Sequence, residues 1–434
     1  MVDKLIQGIK KTFEDVSEHR YKNAQIPLSD YLQSAFAMFH LKDPSLHHYR
    51  LNYEERSANL GRIYGITELP SDTAMREGID GISPKYLQEC FRYPLQILEK
   101  EGIMNSYKVL GRYTTFLFDG TEHYCNKNSE EPPCPHCLTK EHKNKQGEVT
   151  KTTYHHQALG CVLAHPDHKE VFPVAAEAII RQDGATKNDC EQNAAKRLLP
   201  IVRDLLPESR YELLGVFDGL YPTGPFINLL GQSNMRYIIA IKEGYVLVQV
   251  EKLRAQKALQ EYEWVNDKGE KCFARWHNKL ILNGQNQETF VNYFEYEQFD
   301  TKGKRVYHNA WITDLAVTQK DIQELVKIGR SRWKIENEAF NTLKNQGYHL
   351  EHSYGHGSKY LTTNFMLLTF LAFLVDQIAQ KLDAAFDKAL KHCKTKKNLW
   401  EKIRHIFDLI PCMSMNIIYR IITKEAKIDF PLMI

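Results

Sequence analysis

A chain of 434 residues with 43% hydrophobic and 26% charged composition is long enough for two or three domains with cores of their own, and it is too apolar to be a disordered tail. Its formal net charge of +3 permits nucleic-acid binding without demanding it, so local patches must carry that argument. Nine dispersed cysteines, an odd number in a chain of this size, exclude a scaffold held by disulfides.

The N-terminal MVDKLIQGIKKTFEDV has no charged stretch leading into an apolar run and reads as an amphipathic helix. Helical periodicity continues with YLQSAFAMFHL, broken at DPSLHHY and LPSDTAM, and predicts a helical domain over residues 1–104. Lys10, Lys11, Arg20, Lys22, Arg56 and Arg62 are its candidate phosphate contacts, against the alternative of ordinary solvated charges.

From Gly111 the pattern changes to strands: RYTTFLFD, TKTTYHHQALGCVLAH and EVFPVAAEAII, followed by the helix KNDCEQNAAKRLLPIVRDLL and a fourth strand, YELLGVFD. Two of these apolar runs end in Asp-Gly, at Asp119 and Asp218. A carboxylate closing a buried strand needs a turn, a partner or a metal. The fourth strand is expected to lie parallel to the first through a crossover, which would set Asp119 and Asp218 side by side.

Residues 123–150 between the first two strands read as a polar loop. Cys134 and Cys137 in CPHC have the spacing that lets two thiolates reach one Zn²⁺ from a tight turn, and Cys125 lies close by. The expected structural zinc set is Cys125, Cys134, Cys137 and His142, with His123, His136, His155 and His156 also within reach in sequence. The competing reading is a hairpin loop with free thiols.

A strand RYIIAIKEG follows, and residues 244–313 form a β-rich, aromatic insertion with turns at NDKG, NGQN and DTKG. Trp264 and Trp276 there are either core or platforms for an unpaired base. The stretch GRSRWKIENEAFNTLKNQGYHLEHSYGHG, residues 329–357, opens with a helix. Arg332 and Glu336 share one face, and Ile328, Ile335, Ala339 and Leu343 form the apolar stripe. The longest apolar run, Phe365 to Val375, is too short to span a bilayer, so a cytoplasmic protein without membrane contact is expected. From Gly357 the tail holds twelve Lys/Arg against seven Asp/Glu, which favours a surface facing DNA or a partner.

The segments FDGTEHY, GVFDGLYPTGPFI and RWKIENEAFNTLKN resemble the DDE transposases of bacterial insertion sequences, over roughly residues 105–380. The resemblance implies an α/β fold: a ribonuclease H-like mixed sheet in two parts, 105–243 and 314–380, interrupted by the β-insertion and followed by a helical basic region, 381–434. It implies Asp119, Asp218 and Glu336 as ligands of two Mg²⁺ or Mn²⁺ ions that cut and join DNA, with Arg332 and Lys344 on the phosphates. It also implies double-stranded DNA, both element ends and target, as partner, a homodimer on that DNA, and a bacterial, nucleoid-associated location. The signature Tyr-x2-Arg-x3-Glu-x6-Lys is met by Arg332 and Glu336. Gly329 stands at the Tyr position and Lys344 falls one residue late, with Glu338 a substitute acid in another register. A nuclease without strand transfer and a DNA-binding derivative that has lost catalysis are the alternatives.

Overall fold

The computed structural model describes residues 1–20, 24–181 and 189–426. Helices run from Val2 to Ser106, after which the chain builds one mixed sheet of eleven strands. These are β1 (Lys108–Val109), β2 (Tyr113–Asn126), β3 (Leu138–Lys143), β4 (Val149–Leu163), β5 (Phe172–Ile179), β6 (Leu213–Phe217), β7 (Met235–Ala240), β8 (Gln260–Val265), β9 (Lys271–Asn283), β10 (Asn286–Phe299) and β11 (Arg305–Thr313). Their order is β3-β4-β2-β6-β7-β11-β10-β9-β8, with β5 on β4 and β1 on β2. Only β2/β6 and β6/β7 are parallel. Three long strands, the Glu191–Leu205 helix and the parallel β6 follow in the order expected from the sequence.

The β6 run LLGVF is buried at every position, as a strand covered on both faces must be. The Glu191–Leu205 helix buries Ala194, Ala195, Leu198, Leu199 and Val202 against β5 and β4, a period-3.6 stripe. The β-rich insertion makes no sheet of its own. Strand β11 pairs antiparallel with β7 through Trp311–Ala240, Ile312–Ile239 and Thr313–Ile238, and so extends the central sheet.

Residues 123–150 contain strand as well as loop. Strand β2 runs on to Asn126, and β3 pairs antiparallel with the start of β4, leaving 127–137 as the connection from β2 and 144–148 as the hairpin turn. The apolar alternation that marks a strand is missing because this hairpin is solvated on both faces, exposed from Glu141 to Lys143 and from Val149 to Lys151.

The Leu361–Leu382 helix is long and apolar enough to cross a membrane, longer than the apolar run within it suggested. Yet 89% of its most apolar stretch is buried, packed against the Leu28–Leu41 helix and β5. The last helices fold back on the first: Asp408 pairs with Arg56 at 2.5 Å, Asn59 donates to the carbonyls of Phe407 and Ile410, and the Met1 ammonium meets Asp383 at 3.1 Å.

That packing corrects part of the phosphate-contact set. Arg56 is fully buried between Asp43 and Asp408, and Lys10 donates to the Gly65 carbonyl. Arg20 is tied to Glu18 at 2.7 Å and lies over Tyr31. Lys11 and Arg62 are exposed, and Lys22 lies outside the described residues.

Candidate carboxylate site at the strand ends

The register of β2 on β6 pairs Phe116 with Gly215 and Leu117 with Val216. One residue on, the Phe118 and Phe217 rings stack at 4.6 Å; Asp119 follows within β2 and Asp218 directly after β6. Asp119 does not close its strand as expected, since β2 continues to Asn126, and it accepts the N–H of Gly120 at 3.1 Å; Asp218 follows the end of β6 and accepts the turn N–H of Leu220 at 2.9 Å.

Glu336 arrives from the other half of the chain. The helix Ile322–Arg330 gives way to a π-helical turn, Ile335–Phe340, rather than continuing regularly. Ile328, Ile335, Ala339 and Leu343 are all fully buried, as the apolar stripe requires. On the opposite face Arg332 donates to Asp119 at 2.7 Å and to Glu336 at 2.9 Å, so one guanidinium bridges the two acids.

A fourth carboxylate, absent from the sequence-based set, joins them. Glu191 is the first residue of the Glu191–Leu205 helix, with Tyr221 donating to it at 3.5 Å. A Cβ on Gly120 would sit 2.3 Å from the Glu191 carboxylate, which gives a steric reason for glycine directly after Asp119. The signal was topological. Strand β5 is antiparallel to β4, which is antiparallel to β2, so a helix leaving β5 starts at the sheet edge where β2 and β6 end.

Asp119, Glu336 and Glu191 share one guanidinium, with Asp218 beyond Glu191, so the site is short of positive charge. The Asp119 carboxyl is pushed up to about 7 by burial, with Arg332 pulling it down and Glu336 and Glu191 pushing it up. The Glu191 carboxyl is raised by burial and by Asp218. This donor set fits hard divalent cations, which take carboxylate oxygens. In metal-free protein, ¹³C NMR should find Asp119 titrating near 7 and clearly lower in Glu336→Gln; ordinary aspartate titration in the wild type would contradict the charge deficit. Because the folded value lies above the unfolded one, near 3.9, the stability that Asp119 contributes is present at acid pH and lost as pH rises through about 7.

The remaining signature positions behave differently. Lys344 pairs with Glu351 at 3.1 Å and does not join the acids. Glu338 faces Lys334 and Lys396. At Gly329 a Cβ would meet the Trp311 ring at 2.8 Å, and Trp311 is buried and stacked on Phe294, so packing rules out a larger residue. Gly329→Ala should therefore destabilise by roughly 1–3 kcal/mol in urea unfolding. Gly231→Ala, in a helix with open space, should gain up to about 1 kcal/mol. Trp276 is buried and Trp264 stacks between Tyr262 and Tyr296, which makes both packing residues; the exposed tryptophan near the acids is Trp333.

The expected zinc set is also corrected. Cys134 and Cys137 converge with His156 and His356. Cys125 belongs to a separate group with Glu122 and His155, and His142 bonds to the Thr153 hydroxyl at 3.0 Å.

No known family model matches the chain, and no curated protein matches it in sequence. Among solved structures it is similar to the piggyBac transposase in the cryo-EM structure of its synaptic complex with hairpin DNA, at 9% identity and a TM-score of 0.37, over 99% of this chain and 84% of that one.

Proposed function

We propose that the chain is a DDE-type DNA transposase of the bacterial insertion-sequence kind, in which Asp119, Asp218 and Glu336, with Glu191 beside them, hold two divalent cations. The observation that carries this is the Arg332 guanidinium bridging Asp119, inside β2, to Glu336, with Glu191 close enough to feel both Asp119 and Asp218, the residue that follows the parallel strand β6. The strand order β5-β4-β2-β6-β7, with its one antiparallel and one parallel half, supports a ribonuclease H-like core.

Bound cations would activate water, and then a 3′-hydroxyl, for in-line attack at DNA phosphates. In their absence the Arg332 guanidinium bridges Asp119 and Glu336. With the acids occupied, Arg332 is free to hold a phosphate bidentately, 27% exposed and beside the open face of Glu336. Work on DNA as a homodimer, in the bacterial cytoplasm, belongs to the same proposal.

The test is incubation with linear duplex carrying the DNA that flanks the gene, with Mg²⁺ or Mn²⁺ and a second duplex. Metal-dependent nicking and joining to the second duplex are expected. Nicking without joining would make the protein a nuclease, and binding without nicking a derivative that has lost catalysis.

A further inference from the structure

We propose that one zinc ion binds between Cys134, Cys137, His156 and His356, fastening the CPHC turn and strand β4 to the segment that follows the Glu336 helix. The four donors come from three distant parts of the chain: the turn before β3, the middle of β4, and the loop between the Asn341–Asn345 and Leu361–Leu382 helices. His156 and His356 are 200 residues apart in sequence, yet their ring nitrogens approach to 3.3 Å.

The separations are those of a coordination polyhedron. Zn–S bonds of about 2.3 Å and Zn–N bonds of about 2.0–2.1 Å at tetrahedral angles place neighbouring donors roughly 3.3–3.8 Å apart. Here the two sulfurs are 3.4 Å apart, the His156 Nε2 is 3.4 Å from Cys134 and 3.3 Å from Cys137, and all four donors lie within 4.8 Å of one another. A disulfide requires sulfurs about 2.05 Å apart. A two-iron cluster bound by two Cys and two His would keep the sulfurs on one iron and the nitrogens on the other, whereas here each sulfur is in reach of a nitrogen.

Charge and surroundings agree. Cys134, Cys137 and His156 are buried, and two thiolates with two neutral imidazoles balance a 2+ ion, which a buried site needs. Backbone geometry supports the turn, with the Cys137 N–H donating to the Cys134 carbonyl at 3.3 Å. His356 turns its Nδ1 to the cluster while its Nε2 is held by the Ser353 hydroxyl at 3.2 Å, the kind of outer contact that fixes a ligand's tautomer.

The consequence is mechanical. The His356 loop is tied from below to the N-terminal helices, because Asp80 accepts the backbone N–H groups of Ser358, Lys359, Tyr360 and Leu361, and Arg76 donates to the Tyr354 carbonyl. The zinc ties it from above to β4, whose partner strand β2 carries Asp119 five residues before Tyr124, the residue paired with His156. At about 3.4 Å per residue the ion would sit roughly 17 Å along the strand from Asp119. That distance is too great for a catalytic part and suits a clamp between the two halves of the chain.

Protein purified from zinc-containing medium should hold one zinc per chain by elemental analysis. Its cobalt(II) form should show the visible bands of a tetrahedral site with thiolate charge transfer. Cys134→Ser with Cys137→Ser, and His356→Ala, should lose the metal to a chelator that leaves the wild type loaded, and Ser353→Ala should bind it about 10–100-fold more weakly. Cys125→Ser and His142→Ala should retain it. Wild-type protein free of zinc that takes up none, retention by the double cysteine variant, or equal loss in Cys125→Ser would overturn the assignment. Should the ligand variants fail to fold, X-ray absorption on the wild type decides: two sulfurs and two nitrogens support the site, and any other count overturns it. None of these readouts depends on DNA cleavage, so they stand or fall separately from the transposase reading.

Discussion

Alanine at Asp119, Asp218 or Glu336 is expected to lower metal-dependent nicking by at least roughly a thousandfold, about 4 kcal/mol of barrier, while affinity for the same duplex holds or rises slightly. The separation follows from the charges. These side chains are acceptors that would hold cations, and they repel phosphate, so removing one costs the reaction and relieves the repulsion. Arg332→Ala should act differently: it removes the group that bridges Asp119 and Glu336 and a donor for phosphate, so both nicking and affinity should fall. Glu191→Ala tests the added member and should reduce nicking with the fold intact. Gel-shift titration beside a nicking assay reads both quantities; an alanine variant of the three acids that still nicks at the wild-type rate would remove the site from consideration.

The parallel pairing of the strands that carry and precede Asp119 and Asp218 was legible because each holds a short apolar run, and because a crossover through one helix leaves few ways to order the strands. Glu336 was legible through its stripe, although the π-helical turn that carries it was not, since nothing in the apolar spacing separates a wide turn from a regular one. Glu191 was hidden because its role depends on which sheet edge the helix starts from, a fact of topology rather than of composition. The metal ligands failed for a related reason. Proximity in sequence favoured Cys125 and His142, but neighbouring residues on a strand point to opposite faces, and the fourth donor, His356, comes from a remote loop. Arg56 looked like a solvated charge because its partner Asp408 lies 352 residues away.

The other large effect concerns what holds the helices to one another, and it centres on Asp376. This residue, on the Leu361–Leu382 helix, is 2% exposed and lies 2.6 Å from the Lys42 ammonium, 3.2 Å from His40, and within a hydrogen bond of the Tyr348 hydroxyl. Lys42 is itself 1% exposed, packed over Trp400 at 3.5 Å, and donates to the His40 carbonyl. Asp376→Ala strands that ammonium in the core and should cost about 3–5 kcal/mol, because the desolvation penalty of Lys42 persists while its counter-ion is gone. Replacing both, with Lys42→Met, should recover most of the loss, since neither charge is then buried. Burial already pulls the Lys42 amine down to about 8, with Asp376 opposing, and the variant should pull it lower still. A lysine whose folded value lies below its unfolded one, about 10.4, leaves the unfolded chain binding more protons between the two, so stability rises with pH across that window. In Asp376→Ala the window opens further on the acid side, so the loss measured by urea unfolding should be smaller at pH 9 than at pH 7. A loss below 1 kcal/mol at both pH values, or a double variant no better than the single one, would show that Asp376 does not neutralise a buried Lys42.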